Sequence, residues 1–212
     1  LSAMESKALL RSFGIPVTHT TVARDATEAL FVAEQTGFPV AMKVDAPELA
    51  SKSESGGVRL NLNTTEAVWS AYHDIIDTVR LRHPEAQING VSIEPYLYRP
   101  QARAFSIQVH RDAIFGPVIS LGVQDASAAR TFALPPLNTV LARDLIDSAM
   151  PAAAQGPRSQ AGMLNRAALE QVLVSVSDLV CELPWVRELA IDPLFIDADG
   201  AIAADARVVI DQ

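Results

Sequence analysis

The sequence predicts an α+β protein, and three observations support this class. The first 82 residues alternate between helical and β-rich segments in the order β-α-β-loop-β-α, after an opening helix. Three β-rich segments with turn-prone residues between them follow, which is typical of an antiparallel sheet. Two long helical stretches and a hairpin complete the chain. We expect a small α/β subdomain at about residues 18–85 and a larger mixed-sheet subdomain from residues 1–17 and 86–212, with a ligand cleft between them.

The N-terminal elements follow from local signals. An amphipathic helix is predicted to end at Gly14, and the β-branched segment IPVTHTTV follows it. Asp25 and Thr64 can each cap a helix, and these helices are expected to end at Gly37 and Arg82. Between them, FPVAMKV is predicted to be a buried strand, and VRLNL alternates between apolar and polar residues as a strand does.

The C-terminal elements begin with three predicted strands, INGVSIEPYL, RAFSIQVHRD and FGPVISLGV, which we expect to form one antiparallel portion of sheet. Asn138 and Asn165 then each start a segment with a 3.6-residue apolar period, and PAAAQGPRSQAG is the linker between these two helices. ELAIDPLFID and AIAADARVVI, joined at Asp199 and Gly200, are predicted to be a hairpin.

Composition excludes several classes of function. Of the 212 residues, 49% are hydrophobic and 20% charged, as in an ordinary globular protein. The net charge of −8 argues against a broad surface for nucleic acid or an acidic membrane. No apolar run approaches the ~20 residues that span a bilayer, so we expect a cytoplasmic protein. Cys181 is the only cysteine, which excludes an internal disulfide and a thiolate metal site, and it is predicted to be a small core residue.

Lys43 is the first candidate site residue, because it is a cation in an otherwise buried strand. Burying an ammonium group is costly unless an anion lies close to it. Asp45 or Glu48 could supply that anion in a structural pair, and a bound phosphate could supply it instead. The pair Gly56 and Gly57 follows soon after, and glycine lets backbone N–H groups approach phosphate oxygens, although the segment could equally be a plain turn.

Two aspartates near the C-terminus are the second candidate. Asp192 and Asp205 stand 13 residues apart on the two arms of the predicted hairpin, so their carboxylates can converge at one end of a strand pair. Two hard oxygen ligands suit Mg²⁺, whereas the alternative is a pair of solvated or turn-capping aspartates. A buried lysine, a glycine loop and a carboxylate pair together are typical of a site for nucleotide phosphates.

Six segments carry a resemblance to a known family. KALLRSFGIPV, EALFVAEQTGFPVAMKV, SKSESGGVRLNL, FGPVISLG, FALPPLN and ELAIDPLF occur in this order, and the whole chain resembles the ATP-grasp domain of ADP-forming acyl-CoA synthetases. It is most similar to the synthetase-like region of protein lysine acetyltransferases that carry a GNAT domain, on the segments ALPPLNTVLARDLI and VSVSDLVCELPWVRELAIDPLF. The resemblance implies an ATP-grasp fold over residues 1–212, as part of a larger protein.

The resemblance also implies ligands and site residues. The cofactors would be ATP or ADP with Mg²⁺. Asp192 and Asp205 match the pair that holds the metal, although the family more often has asparagine where Asp192 stands. The residues matched to nucleotide binding are the strand lysine, the loop over the phosphates and the hinge whose backbone grips adenine: Lys43, Lys52, Ser53, Gly56, Gly57, Val58, Glu94, Pro95, Tyr96 and Leu97.

Several departures argue against full synthetase turnover. The family's relay histidine is replaced by Ser51, and serine lacks the imidazole that carries a phosphoryl group at neutral pH. No catalytic residue is therefore assigned. Ala104 stands where a supporting glutamate is usual, and Ala190 stands where an acidic residue precedes the metal ligand. The second glycine motif is reduced to GVQD, which spans residues 122–125.

Three functions remain open from the sequence. The first is a nucleotide-binding regulatory or degenerate module of a lysine acetyltransferase, whose GNAT domain would lie outside this chain. The second is a working subunit of an ADP-forming acyl-CoA ligase, and the third is a pseudo-domain that binds nothing. Besides nucleotide, the expected partners are CoA-binding and ligase-like domains of the same or another chain, with no nucleic acid and no membrane.

Overall fold

The structure is a computed structural model, and it describes residues 1–49, 52–124, 130–153 and 164–211, without the side chains of residues 151–153. The elements in chain order are α1 (Ala3–Ser12), β1 (Thr21–Ala23), α2 (Ala26–Thr36), β2 (Val40–Asp45), β3 (Val58–Leu62), α3 (Thr65–Arg82), β4 (Gly90–Pro95), β5 (Arg103–Asp112), β6 (Gly116–Val123), β7 (Thr131–Ala133), α4 (Thr139–Ala153), α5 (Arg166–Glu182), β8 (Val186–Asp197), β9 (Gly200–Ala203) and β10 (Ala206–Ile210). The chain divides into two compact units. The N-terminal unit comprises Ser2–Glu5 and Thr18–Tyr98, and the C-terminal unit comprises Leu1, Ser6–Val17 and Arg99–Gln212.

The N-terminal unit is built on a four-stranded antiparallel sheet in the order β1-β4-β2-β3. Helices α2 and α3 pack against each other and against this sheet. The side chains of Asp25 and Thr64 accept hydrogen bonds from the first turns of α2 and α3, at 2.8 and 3.1 Å. Both predicted caps are therefore confirmed. The core between helices and sheet is aliphatic and includes Val40, Met42 and Ile93.

The C-terminal unit is built on a six-stranded antiparallel sheet in the order β10-β8-β5-β6-β7, with β9 paired to β8. Alternate residues of a strand point to opposite faces of its sheet. Phe105, Ile107 and Val109 of β5 lie in one apolar core with α4 and α5. Ser106 and Gln108, with Ser120 opposite Gln108 on β6, therefore lie on the other face, which we call the polar face of this sheet.

Two sequence predictions about strands differ from the structure. The segment INGVSIEPYL was expected to join one portion of sheet with the next two segments, but β4 pairs with β1 and β2 in the N-terminal unit. Its residues are buried from Gly90 to Glu94, so they complete that core, and Pro95 ends the strand. The predicted terminal hairpin has three strands, because β9 and β10 pair with successive halves of β8.

Two further findings concern helices. Within the residues described, no helix is both long enough and apolar enough to cross a membrane. Cys181, predicted to lie in the core, is exposed near the end of α5. The apolar face of α5 is formed by its neighbours Val176, Leu179 and Val180, and the helical period turns residue 181 away from them.

Candidate functional site

Lys43 lies in the middle of β2 and is only 7% exposed. Its ammonium nitrogen is 3.3 Å from Oε2 of Glu94, which lies on the neighbouring strand β4. The structure thus provides an anion for Lys43, but it is Glu94: the predicted structural partners Asp45 and Glu48 do not form this pair. Glu48 is exposed and accepts a hydrogen bond from the Gln87 backbone at 3.1 Å.

Two threonines also hydrogen-bond to the Glu94 carboxylate. The Thr18 hydroxyl donates to Oε2 and the Thr20 hydroxyl to Oε1, each at 3.0 Å. A buried charge is tolerated when it is paired and hydrogen-bonded, and Glu94 is 2% exposed and satisfies both conditions. Lys43, Glu94, Thr18 and Thr20 form what we call the lysine cluster. The cluster fixes an ammonium group in the interior of the N-terminal unit.

The glycine loop is described from Lys52 onward, and Ser51 lies outside the described residues. The N–H of Gly57 donates to the Lys52 carbonyl at 2.8 Å, and that of Gly56 donates to the Ser53 carbonyl at 3.1 Å. Both glycine amides are thus used inside a compact turn. The Gly57 carbonyl in turn accepts from Val44 of β2 at 2.7 Å, which joins the loop to the strand that carries Lys43.

The packing around residue 57 leaves no room for a side chain, so glycine is required there. A Cβ atom at this position would lie 2.4 Å from Cγ1 of Val44, closer than real contacts allow. Gly56 has a φ of +76°, which favours glycine, and a Cβ there would meet Thr78 at 2.7 Å. Both glycines are therefore required by the closeness of the loop to β2 and α3, whether or not a phosphate binds.

The predicted adenine hinge, residues 94–97, leaves β4 and continues into a loop. The Tyr96 N–H donates to the Pro39 carbonyl at 2.9 Å, and Pro95 has no N–H. In the part of the chain that the structure describes, the Leu97 N–H has no hydrogen-bond acceptor. Leu97 is therefore the residue of this segment with a backbone donor that a ligand could use.

Asp192 and Asp205 meet in the C-terminal unit, at the point where β9 ends and β10 begins. The Asp192 N–H donates to the Asp205 carbonyl at 3.2 Å, so the two residues lie opposite each other. The Gln124 side chain donates to Oδ1 of Asp192 at 3.0 Å. Asp192 is exposed and Asp205 half-buried. Among the residues described, no group of three or more His, Cys, Asp or Glu side chains is placed to hold a metal.

Lys7 supports the connection next to Asp205. Its side chain is 1% exposed, and its ammonium donates to the Ala204 carbonyl at 2.9 Å. The neighbouring Ser6 hydroxyl accepts from the Val208 N–H at 3.1 Å. Helix α1 thereby anchors both sides of the segment that carries Asp205. One indirect signal for this role is visible in the sequence: Lys7 lies one helical turn before Leu10, on the apolar side of a short amphipathic helix.

Sequence reasoning also missed Thr18, Thr20 and the side chain of Glu94. The threonines alternate in THT, a pattern that we assigned to a strand and not to a polar site. Glu94 was assigned a role through its backbone only. Arg130, which precedes β7, carried no signal in the sequence, and its side chain lies over the polar face of the six-stranded sheet.

Comparison with known proteins identifies the family. The family model for the ATP-grasp domain matches residues 1–210. The chain belongs to the ATP-grasp family. The predicted ATP-grasp fold is therefore confirmed.

Individual relatives of this ATP-grasp domain are subunits of ligases. The beta subunit of ADP-forming acetate–CoA ligase I from Pyrococcus furiosus is 34% identical over 218 residues, which cover 97% of this chain and 90% of that protein. Acetyl-coenzyme A synthetase 1 of Candidatus Korarchaeum cryptofilum, in complex with coenzyme A, Ca-AMPCP and HgCl⁺, superposes with a TM-score of 0.91 at 28% identity, covering 100% of this chain and 93% of that one.

A second structure of the Korarchaeum synthetase contains a phosphorylated phosphohistidine segment with coenzyme A and acetyl-coenzyme A. It has a TM-score of 0.83 at 28% identity and covers the same shares of the two chains. This ATP-grasp domain thus closely resembles subunits of enzymes that join acetate to coenzyme A.

The structure places two of the residues that depart from the family pattern. Ala104 lies in β5 opposite Phe195, and Ala190 lies in β8 between Gln108 and Arg207. Asp125 of the reduced glycine motif lies outside the described residues.

Proposed function

We propose that this ATP-grasp domain binds ATP or ADP with Mg²⁺ and acts as a regulatory or degenerate module of a protein lysine acetyltransferase. The observation that carries the proposal is the lysine cluster. Glu94, itself held by Thr18 and Thr20, keeps the Lys43 ammonium in place, while Ser51 is the residue at the sequence position expected for the relay histidine. The domain keeps groups that hold a nucleotide and lacks the side chain that would pass a phosphoryl group onward.

Each proposed nucleotide contact has a physical basis. Lys43 supplies a positive charge for phosphate oxygens, and Lys52, Ser53, Gly56, Gly57 and Val58 form the loop that covers them. Because the Gly56 and Gly57 amides are used within the turn, the loop must rearrange before those N–H groups can reach a phosphate. The hinge, Glu94 to Leu97, binds adenine through the Leu97 N–H. The AMPCP complex of the Korarchaeum synthetase supports a nucleotide in this fold.

Asp192 and Asp205 fit Mg²⁺ by their chemistry. Magnesium prefers oxygen ligands, usually keeps several waters, and is commonly held by one or two carboxylates together with substrate phosphates. Asp192 on β8, which is exposed, and Asp205 in the connection opposite it match this pattern. The bound ion would neutralise phosphate charge, and these two residues would hold it in place.

Calorimetry of the chain with Mg-ADP and Mg-ATP tests the binding proposal. We expect binding, and Lys43→Met should weaken it about tenfold or more, because contacts to charged groups are worth about 1.5–3 kcal/mol. Arg187→Met is the matched control, since it removes one exposed positive charge from β8. No heat at millimolar nucleotide would reject the proposal and favour the non-binding pseudo-domain. The parent's GNAT domain and acetyltransferase activity lie outside this chain and need a separate assay of the parent.

A second candidate is an active subunit of an ADP-forming acyl-CoA ligase. The 34% identity to a ligase beta subunit over nearly both full lengths favours it. Such a subunit would work with CoA-binding and ligase-like domains of the same or a partner chain. ATP formation from acyl-CoA, ADP and phosphate, after those domains are supplied, would support this candidate. Activity that appears only in Ser51→His would instead support the degenerate module.

A further inference from the structure

Arg130 lies over the polar face of the six-stranded sheet in the C-terminal unit. Its Nε donates to the Ser120 hydroxyl at 3.3 Å, and one Nη donates to the Ser106 hydroxyl at 3.1 Å and to the Ser106 carbonyl at 3.4 Å. Gly122 lies beneath the side chain, since a Cβ added there would be 3.5 Å from Cγ of Arg130, an ordinary contact. The side chain is half-buried, and the two serines are 5% and 2% exposed.

Among the described residues, Arg130 has no carboxylate partner. Arg99, Arg143, Arg166 and Arg207 of the same unit each pair with a carboxylate. Within the described residues, Arg130 contacts only two hydroxyls and a carbonyl. A half-buried guanidinium keeps its positive charge, and hydroxyl and carbonyl partners leave that charge available to an anion.

We propose that Arg130, with Ser106, forms a binding subsite for a phosphoryl group. Arginine presents several N–H donors in a planar fork that matches the oxygens of phosphate. The Ser120 hydroxyl donates its proton to the Gln108 carbonyl at 3.4 Å. Its oxygen therefore accepts from Nε of Arg130, and this hydrogen bond orients the guanidinium. The Ser106 hydroxyl accepts from Arg130 and keeps its own proton for a ligand oxygen. The donors left for a ligand are thus the second Nη of Arg130 and the Ser106 hydroxyl.

The position of the subsite links it to the aspartate pair. Ser106 is opposite Gly122 on β6, and Gln124, two residues further along, donates to Asp192. On its other side, Ser106 faces the irregular step of β8 between Ile191 and Leu194, which contains Asp192. A phosphoryl group on Arg130 would therefore lie at the same end of the same sheet as the carboxylates proposed to hold Mg²⁺. The inference deepens the proposed function, and its anion could be inorganic phosphate or the terminal phosphate of a nucleotide.

The test follows the side-chain Nε–H resonance of Arg130 by NMR while the chain is titrated at constant ionic strength. Inorganic phosphate alone, Mg-ADP and Mg-ATP are the three probes. A shift with inorganic phosphate assigns the subsite to free phosphate. A shift with Mg-ATP but with neither Mg-ADP nor phosphate assigns it to the terminal phosphate. No shift with any probe overturns the proposal.

Variants give a second readout by calorimetry. Arg130→Met should lower the affinity for the probe that shifts the Arg130 resonance at least tenfold. Ser106→Ala leaves the charge in place and should lower that affinity by a smaller factor. Arg111→Met is the matched control, because Arg111 is a half-buried arginine of the same sheet that donates to a carbonyl at 3.0 Å. Equal affinities in the wild type and Arg130→Met would overturn the subsite. Mg-ADP binding without an Arg130 response would leave the proposed function intact, whereas a phosphate response without any nucleotide binding would reject only that function.

Discussion

The Glu94 carboxylate lies 3.3 Å from the Lys43 ammonium, and both side chains are almost completely buried. Removing one partner of a buried ion pair leaves an uncompensated charge, which costs about 3–5 kcal/mol. The pair therefore links the proposed phosphate contact to the stability of the N-terminal unit. A phosphate that approaches Lys43 has to share its ammonium with a carboxylate that two threonines already hold.

Glu94→Gln should destabilise the chain by about 3 kcal/mol or more, because it removes the negative charge opposite a buried ammonium. Urea unfolding measures the change. Glu48→Gln is the control: Glu48 is exposed, and its replacement should change the free energy of unfolding by less than about 0.5 kcal/mol. In the double variant Lys43→Met/Glu94→Gln, part of the lost stability should return. Additive effects of the two substitutions would contradict a direct coupling.

Gly57→Ala should destabilise the N-terminal unit by about 1–3 kcal/mol, because the added methyl would lie 2.4 Å from Val44 Cγ1 inside a packed core. Gly122→Ala provides a comparison within a strand, where the added Cβ would make ordinary contacts at 3.5 Å. We expect a clearly smaller change in the midpoint of thermal unfolding for Gly122→Ala. Equal losses in the two variants would show that the closeness of Gly57 to β2 has no energetic consequence.

Much of the fold could be predicted from the sequence because it is encoded locally. Asp25, Thr64, Asn138 and Asn165 begin helices by accepting hydrogen bonds from the first turn, and these signals need no knowledge of distant residues. The placement of β4 could not be predicted in this way. Alternating apolar residues show that a strand forms, but they do not show which sheet it joins.

The candidate site likewise has one part that is encoded locally in the sequence and one part that depends on distant residues. The aspartate pair could be proposed from spacing along one hairpin, and the structure does bring the backbones of Asp192 and Asp205 together. The partners of Lys43 could not, because Glu94 is 51 residues away and Thr18 lies 76 residues from Glu94. Arg130 was missed for the same reason: its environment is built by Ser106 and Ser120, which lie on two other strands.

Acidification should weaken the contact between α4 and α5. The Arg143 guanidinium donates to both oxygens of Glu170 at 3.1 Å and holds the pKa of that carboxyl below its ordinary value. A carboxyl whose pKa is lowered by folding contributes stability above its unfolded pKa of about 4.3, and this contribution is lost as the pH falls through the folded value. The melting temperature of the wild type should exceed that of Glu170→Gln at pH 6, and the difference should shrink below about pH 4.

Arg143→Met supplies the control for this pH dependence. In that background Glu170 no longer has the hydrogen bonds that lower its pKa, so Glu170→Gln should leave the pH profile of the melting temperature nearly unchanged. A pH-dependent difference that persists without Arg143 would show that another group causes it.

The aspartate pair predicts a cation site whose affinity depends on nucleotide. The backbones of Asp192 and Asp205 meet there, and among the residues described no third His, Cys, Asp or Glu completes a metal-binding group. Two carboxylates leave most of the coordination sphere of a divalent ion to water and phosphate. Mn²⁺ binding, followed by electron paramagnetic resonance, should therefore be weak for the chain alone and stronger with ADP. Asp205→Asn should reduce the Mn²⁺ affinity in the presence of ADP by about 10-fold or more, since loss of even a supporting group costs 10–100-fold. Asp199→Asn, in the exposed β8–β9 turn, should leave the affinity unchanged. If Asp199→Asn and Asp205→Asn behave alike, the cation does not bind at the pair.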